Sequence, residues 1–343
     1  MTLLTAAVVS GCSGSDAPTV VPGSTSSATS TPTLGPSAQP SPSPSPTASS
    51  PATRPAGALC GWLRTPPKRY QHVIWIWFEN KSAGTVIGSS HAPYFNQVAA
   101  KCALATNFHN VSHPSLPNYL AATSGRTGGV ASDCSPAACS SSSRSIFRQL
   151  EIAGLTWKAY AESMPSGCAH YDADPYAVKH NPPPYYRDIA PTCRRNNLPL
   201  DDATTGLGHD LAHDSLPNFA FVTPNLCNDM HDCSVSTGDS WMKKWLTRIA
   251  DSRAYDSGRT AIFLTFDEGT GGGHGEDCAT PANNDSSCLI ATYALGPAVR
   301  PGARIATRLT HYSMLRSTES MLGLTSYLGN AATAPDLRAP FHL

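Results

Sequence analysis

The sequence predicts an α/β domain in which a mostly parallel sheet is covered by helices on both faces. Apolar runs of strand length alternate with stretches of helical periodicity, which is typical of parallel strands joined by crossover helices. The expected strands are HVIWIWF (72–78), TWKAYAE (156–162), NFAFVTP (218–224), TAIFLTF (260–266) and LIATYALG (289–296). The expected helices lie at 92–103, 143–154, 240–251 and 311–323. Residues 58–343 have the length of one such domain.

Residues 1–12 indicate export. Their apolar run ends in Val9, Ser10, Gly11 and Cys12, and small residues directly before a cysteine resemble a bacterial lipobox. Cys12 would then carry a lipid that anchors the protein to the cell membrane. An ordinary signal peptide with an unrelated cysteine, giving an extracellular protein, is the alternative. Signal peptides usually carry Lys or Arg before the apolar run, and this one has neither, so we expect the natural start to lie further upstream.

Residues 13–57 are predicted to be a disordered linker. Pro, Ser, Thr and Ala dominate this segment, and aromatic residues are absent. Such a composition buries too little apolar surface to offset the entropy of ordering the chain. Lipid anchor and linker together would hold the folded domain away from the membrane.

The charge balance of the chain argues against a nucleic-acid partner. Its 343 residues include 24 basic and 24 acidic side chains, and the formal net charge is zero. A nucleic-acid-binding domain usually shows a basic excess. An anionic ligand must therefore be held by a local site.

Cysteine usage agrees with export. Without Cys12 there are ten cysteines, and an even count in an exported chain favours disulfides. Pairing of neighbours gives 60–102, 134–139, 168–193, 227–233 and 278–288, although spacing alone does not establish connectivity. A thiolate zinc site is the alternative, but the sequence has no CxxC pair.

Two expected interior strands end on acidic or amide side chains. Glu79 and Asn80 directly follow 72–78, and Asp267 and Glu268 directly follow 260–266. Ligands of open α/β sheets bind beyond the carboxyl ends of the strands, so these groups should meet at one edge. Oxygen ligands suit Mg²⁺, Ca²⁺ or Mn²⁺ best, with zinc or iron as alternatives. The sequence therefore predicts one divalent metal ion.

Ser115 stands between two prolines at the start of an expected helix over 116–123. A hydroxyl in this place is commonly an N-cap. The same place suits a nucleophile, because helix N–H groups stabilise an attacked phosphoryl group. Both readings are open from the residues alone.

Blocks of the sequence resemble, in the expected order, the bacterial phosphoesterase family that contains acid phosphatases and phospholipases C. FENKS (78–82) is similar to its E-N-[RK]-S signature, and HPSLPNYLAATSG (113–125) is similar to its nucleophile segment. The later blocks are NLCNDMHDCSVSTGDSWMKKWL (225–246), FLTFDEG (263–269) and HYSMLRSTESMLGL (311–324). The likeness is greatest to small secreted acid phosphatases, including phosphatases that act on phosphoinositides. It implies an alkaline-phosphatase-like three-layer sandwich.

The resemblance also implies roles for individual residues. Ser115 would be the nucleophile, phosphorylated during turnover, and would complete a metal shell made by Glu79, Asn80, Asp267 and Glu268. His231 would contact the phosphate or protonate the leaving oxygen, and His113 would be a second catalytic histidine. The substrate pocket would include Lys179, His180, Asn181 and His311.

His231 also stands out by its neighbours. It lies between Asp229 and Asp232 inside the expected 227–233 loop, so a carboxylate would favour its protonated form. A protonated histidine suits general-acid catalysis and an acidic pH optimum.

Some positions depart from the family pattern or stay open. Glu268 stands at a position where relatives can carry Asp. The longer side chain of Glu would make the metal-ligand geometry longer and looser. His274, Glu276 and Asp277 in the glycine-rich loop either approach the metal or, as we expect, face water. His209 and His213 have the spacing of a metal pair on a helix, but we expect them to be solvated.

These observations predict an exported, metal-dependent phosphomonoesterase acting on a small phosphorylated substrate, with phosphoinositides among the candidates. A phosphodiesterase of the phospholipase C type is the alternative. A non-catalytic surface binding module is the third reading, and it is disfavoured because Ser115 and the acidic pair are all present.

Overall fold

The computed structural model describes Gly23 and residues 53–343. Cys12, the predicted signal segment and nearly all of the predicted linker lie outside the described residues. The rest of this section concerns residues 53–343.

The described strands form one sheet. Their bounds are β1 His72–Phe78, β2 Ala103–His109, β3 Trp157–Ala161, β4 Asn197–Pro199, β5 Phe219–Thr223, β6 Thr260–Phe266, β7 Leu289–Leu295, β8 Arg304–Ile305 and β9 Leu309–Thr310. The order across the sheet is β4-β3-β5-β1-β6-β7-β2-β8, with β9 also beside β2. β7 runs antiparallel to both of its neighbours, and the other pairs are parallel. The predicted mostly parallel sheet is confirmed.

Helices cover both faces of this sheet. Their bounds are α1 Ala83–Val86, α2 Pro93–Lys101, α3 Ser115–Ser124, α4 Ile146–Ile152, α5 Ala190–Asn196, α6 Leu207–Ala212, α7 Val235–Ala250, α8 Arg253–Asp256, α9 His311–Met321 and α10 Arg338–Phe341. α3 packs beside α9, and α2 packs beside α7. A search of the described helices found none with the length and apolarity needed to cross a bilayer.

The alternation of side chains along β1 assigns these helix pairs to opposite faces. Trp77 stacks on His311 of α9, with ring centroids 4.6 Å apart. The next residue, Phe78, points the other way and meets Phe95 of α2 and Trp241 of α7 edge-on. All these rings are buried, and each phenylalanine contributes about 1.5–3 kcal/mol by leaving water. Since residues two apart share a face, Glu79 must lie on the α3/α9 face.

The main difference from the predicted elements is β2. The expected helix 92–103 ends two residues early, at Lys101, and Ala103 begins a strand. Thr106 and Asn107 interrupt its apolar pattern, and the pairing with β7 shifts register between Ala105 and Phe108. An irregular strand of this kind has no clear period-2 signal, so it was missed.

The five predicted disulfides are all present. They join Cys60–Cys102, Cys134–Cys139, Cys168–Cys193, Cys227–Cys233 and Cys278–Cys288. The zinc–thiolate alternative is wrong for these ten cysteines, because a disulfide sulfur is no longer a thiolate ligand.

Glu319 on α9 makes stability depend on pH. It is fully buried, and one carboxylate oxygen accepts the Leu328 N–H at 2.9 Å while the other has no partner. Burial raises its pKa to about 8. Folding therefore favours the protonated form, and this stabilisation is complete below about pH 4 and is lost as the pH rises towards about 8.

We expect Glu319→Gln to raise the Tm by a few degrees at about pH 8 and to change it little at about pH 4.5. The amide keeps the acceptor for Leu328 and never ionises. Thermal unfolding followed by circular dichroism across this pH range checks the expectation. A shift in Tm of the same size at every pH would contradict it.

Candidate active site

Glu79 lies at the centre of a buried polar cluster beyond the carboxyl end of β1. It is fully buried on the α3/α9 face, as the alternation along β1 requires. One carboxylate oxygen accepts the Ser115 hydroxyl at 3.1 Å, and the other accepts the Tyr119 hydroxyl. Two turns of α3 are thereby tied to the end of β1.

Asp267 occupies the matching position beyond β6. Phe78 and Phe266 are paired in register, so Glu79 and Asp267 follow on the same rung and face the same way. One Asp267 carboxylate oxygen accepts the Asn80 N–H at 3.0 Å, and the other is buried without a partner. Asn80 has φ 50°, a left-handed conformation that Asn tolerates better than most residues. The predicted meeting of the two strand ends is therefore observed.

The cluster carries more negative charge than its surroundings neutralise. Burial and the nearby Asp267 and Asp229 carboxylates raise the pKa of Glu79 well above its ordinary value. Burial likewise raises the pKa of Asp267, and it raises that of Glu268 to about 8. Each shift means that the ionised form is destabilised unless positive charge is close.

These residues fit a divalent cation. The donor set is made of hard oxygen atoms, and the unpartnered Asp267 oxygen is a buried acceptor of the kind that a cation satisfies. Glu79, Asp267, Ser115 and Glu268 would hold such an ion together with Asn80. Asn80 already contributes its backbone N–H to Asp267.

Ser115 is the first residue of α3, and the structure tests the N-cap interpretation. The N-cap of α3 is Pro114, and no side chain there caps the helix. The Ser115 hydroxyl instead donates to Glu79, and the residue is 1 % exposed. Asn118 holds the preceding turn by accepting the N–H groups of Val111 and Ser112. The N-cap interpretation is therefore wrong, and the assignment of Ser115 as nucleophile stays a prediction.

His113 and Glu268 form a buried pair beside Ser115. His113 Nδ1 lies 2.8 Å from Glu268 Oε2. Burial alone would lower the pKa of His113, but the hydrogen bond that its ring donates to Glu268 and the negative charge of the nearby carboxylates together raise it. Gly272 has φ 97°, and a Cβ there would collide with the His113 ring, so the glycine-rich loop packs directly over this pair. Glu268 is thus oriented by His113 as well as by its strand.

His180 bridges two acids at the back of the cluster. Its Nε2 lies 3.3 Å from Glu79 and its Nδ1 lies 3.3 Å from Asp229. Burial lowers the pKa of His180 to about 3, so the ring is neutral. Burial raises the pKa of Asp229 to about 7. The sequence singled out Asp229 only as a neighbour of His231.

His231 is held by both of its acidic neighbours. Its ring Nδ1 lies 2.6 Å from Asp232, and its backbone N–H donates to Asp229 at 2.7 Å. Its side chain is 27 % exposed, and its ring centroid is 5.7 Å from that of His180. The Cys227–Cys233 bridge closes the loop around it. A ring near the cluster and open to solvent is suited to proton transfer.

Two residues expected in the substrate pocket are placed elsewhere. Asn181 is buried and forms a reciprocal pair of amide hydrogen bonds with Asn197, which ties its segment to the start of β4. His311 is fully buried, and its Nε2 lies 2.8 Å from the Asp267 carbonyl oxygen. Both side chains are bound to other groups of the protein, and a contact of either with substrate stays a prediction. Lys179, by contrast, is partly exposed and pairs with Asp133.

The glycine-rich loop comes closer to the site than expected. Glu276 approaches His113, and ligand atoms of both lie within 4.8 Å of one another together with Cys278 and Cys288. These two cysteines are bridged to each other, so the group offers no thiolate to a metal. His274 is exposed, and Asp277 accepts backbone N–H groups within its own turn. His209 and His213 stack on each other with ring centroids 4.1 Å apart.

The sequence of this chain matches that of a known protein family. The sequence profile described as the Phosphoesterase family matches residues 64–325. The chain belongs to the phosphoesterase family. It is therefore a hydrolase that acts on phosphoester bonds, and the predicted family is confirmed.

Several curated members of the phosphoesterase family are similar to this chain. One is the phosphatidylinositol-3-phosphatase of Mycobacterium tuberculosis, 30% identical over 78% of this chain and 83% of that protein. Another is an acid phosphatase of Aspergillus fumigatus, 30% identical over 73% of this chain and 54% of that protein. A phosphate-repressible acid phosphatase of Penicillium chrysogenum is also 30% identical, over 73% and 58%. The chain thus spans little more than half the length of these fungal relatives.

Solved structures confirm the alkaline-phosphatase-like fold. A protein in the alkaline phosphatase superfamily from Vibrio parahaemolyticus has a TM-score of 0.51 at 12% identity, covering 80% of this chain and 72% of that one. The lipoteichoic acid synthase LtaP from Listeria monocytogenes has a TM-score of 0.51 at 10% identity, covering 78% and 75%. At such identities the likeness concerns the fold alone.

Proposed function

We propose that this phosphoesterase is a metal-dependent phosphomonoesterase in which Ser115 is phosphorylated during turnover. The observation that carries the proposal is the hydrogen bond from the Ser115 hydroxyl to Glu79, within a cluster of buried acids at the strand ends. Serine is a weak nucleophile unless a base or a cation activates it. The site supplies an acceptor for the hydroxyl and oxygen donors for a cation.

Each residue of the cluster then has a part in the reaction. Glu79 orients the Ser115 oxygen and accepts its hydrogen, so that the oxygen attacks phosphorus in line. A divalent ion held by Glu79, Asn80, Asp267 and Glu268 would lower the pKa of the hydroxyl and offset the negative charge of the phosphoryl group. Ser115 begins α3, and the N-terminal end of a helix also favours negative charge.

The two remaining groups of the site are His231, which transfers protons, and His113. His231, open to solvent and held by Asp232, donates a proton to the leaving oxygen. In the second step water attacks the phosphoserine, and the same histidine accepts a proton from that water. His113 positions Glu268.

The relatives support monoesters as substrates, with a phosphoinositide as one candidate. One relative is a phosphatidylinositol-3-phosphatase, and several others are acid phosphatases. The five disulfides support an oxidising compartment, so we include export in the proposal. A lipid anchor at Cys12, a linker over 13–57 and a catalytic domain over 58–343 complete the proposed organisation.

The first experiment compares a chromogenic phosphate monoester with the corresponding diester, before and after chelation and return of single metals. We expect monoester turnover that chelation abolishes and one of Mg²⁺, Ca²⁺, Mn²⁺, Zn²⁺ or Fe²⁺ restores, because the buried acids need positive charge. Preference for the diester would instead support the phospholipase C reading. No turnover of either ester between about pH 4 and 9, with any of these metals, would refute both enzymatic proposals.

A further inference from the structure

Asp133 makes contacts that a bound phosphoryl group would be expected to make. One of its carboxylate oxygens accepts the N–H of Leu116, the residue directly after Ser115, at 3.0 Å. The other oxygen lies 2.8 Å from the Lys179 ammonium. A backbone N–H in the first turn of a helix and a lysine ammonium are common donors to phosphate. Here both donors are taken by a carboxylate of the same chain.

The two partners of Asp133 connect it to the acidic cluster. Leu116 directly follows Ser115, whose hydroxyl donates to Glu79. Lys179 directly precedes His180, whose Nε2 lies 3.3 Å from the same Glu79 carboxylate. A phosphoryl dianion placed on Ser115 would meet this carboxylate as a neighbouring like charge.

The side chain of Asp133 has room to leave without movement of the backbone. It is 30 % exposed and lines a cavity of about 420 Å³ that also contacts Lys179 and His231. The next residue, Cys134, is held by its disulfide to Cys139, and its carbonyl oxygen accepts the Tyr185 hydroxyl at 2.7 Å. The loop is thus anchored directly after Asp133, while rotation of the side chain carries the carboxylate into the cavity.

We propose that the Asp133 carboxylate and the phosphoryl group of the substrate compete for the same two donors, and that bound phosphate displaces Asp133. The proposal rests on the proposed function, because it takes Ser115 as the group that phosphate approaches. Displacement costs part of the binding free energy of every phosphate ligand, the product included. Asp133 therefore weakens the binding of inorganic phosphate and favours its release.

The test is the affinity of the full-length protein for inorganic phosphate, measured by calorimetry with Mg²⁺, Ca²⁺, Mn²⁺, Zn²⁺ and Fe²⁺ added one at a time. We expect Asp133→Asn to lower the dissociation constant of phosphate by about tenfold, since the neutral amide no longer pairs with Lys179. Asp133→Ala, which also frees the Leu116 N–H, should lower it at least as much. The KM for a chromogenic monoester should fall in parallel.

A matched control separates displacement from a general change of charge. Asp174 lines the same cavity, and neither its carboxylate nor its backbone contacts Leu116 or Lys179 in the structure. Asp174→Asn removes one negative charge there, and we expect it to leave the dissociation constant within about twofold. An equal gain from Asp174→Asn would overturn the proposal.

The opposite role for Asp133 is also distinguishable. If Asp133 only orients Lys179 and α3, Asp133→Asn will weaken phosphate binding and raise the KM. That result, or an unchanged dissociation constant in both Asp133 variants, would refute displacement. Phosphate binding is measured without turnover. An inactive wild-type protein would therefore refute the proposed function, while the dissociation constants of the variants would still test displacement.

Discussion

Ser115→Ala is expected to abolish phosphomonoester hydrolysis and to leave the fold intact. The change removes the proposed nucleophile, and losses of about 10³-fold or more in kcat are usual when a nucleophile is deleted. The Ser115 hydroxyl makes one hydrogen bond, to Glu79, whose second oxygen stays bound to Tyr119. Kinetics with a chromogenic monoester check the rate, and mass spectrometry of acid-quenched enzyme checks for a phosphorylated peptide containing Ser115.

Ser124 offers a matched control at the other end of α3. It is also a buried serine, and its hydroxyl donates to backbone carbonyl oxygens of Leu120 and Arg126. Ser124→Ala should cost about 1 kcal/mol of stability and leave kcat largely unchanged. A phosphorylated Ser115 peptide missing from active wild-type enzyme, or substantial activity in Ser115→Ala, would contradict the covalent route.

Asp267→Asn is expected to remove activity and to stabilise the protein when no divalent ion is added. Asp267 is a buried carboxylate with one unpartnered oxygen and a raised pKa, caused first by burial. A neutral amide relieves the cost of burying that charge next to Glu79. The Tm of the chelated variant should rise by several degrees, whereas added divalent ion should stabilise only the wild type.

Asp239 is a control for the same substitution at a carboxylate whose oxygens already accept hydrogen bonds. It is buried too, but it accepts the N–H groups of Tyr94 and Phe95 at the start of α2. Asp239→Asn should therefore lower the Tm, because a charged cap is weakened. Differential scanning calorimetry on both variants, with chelator and with metal, makes the comparison. A fall in Tm for chelated Asp267→Asn would mean that the acid cluster is stable without a cation.

The sequence was informative wherever short-range pattern decides the structure. The fully buried runs of β1 and β6 are continuous apolar segments, and their ends are marked by Glu79 and Asp267. Because parallel strands end at one edge of a sheet, the two strand ends alone predicted that these groups would meet. Disulfides between neighbouring cysteines were equally accessible, since nearby partners close short loops.

The sequence was silent where contacts join distant segments. Tyr119 binds Glu79 from the second turn of α3, and nothing in its local pattern distinguishes it from an ordinary core tyrosine. Asp133 reaches Leu116 from a loop of no regular structure. His311 matched a family block, yet the packing of α9 on Trp77 buries its ring completely. Side-chain direction in such places depends on tertiary packing, which residue spacing does not encode.

The in-register pairing of β1 with β6 makes the site sensitive to strand length in a way that the loops are not. Each residue from His72 to Phe78 faces its partner in β6, and the two acids occupy the next rung. One residue added to or removed from either strand would turn its acid to the α2/α7 face, away from Ser115. The lengths of β1 and β6 therefore set the geometry of the candidate site. Variation among such enzymes should be concentrated in the surrounding loops, and the lengths of these two strands should be held constant.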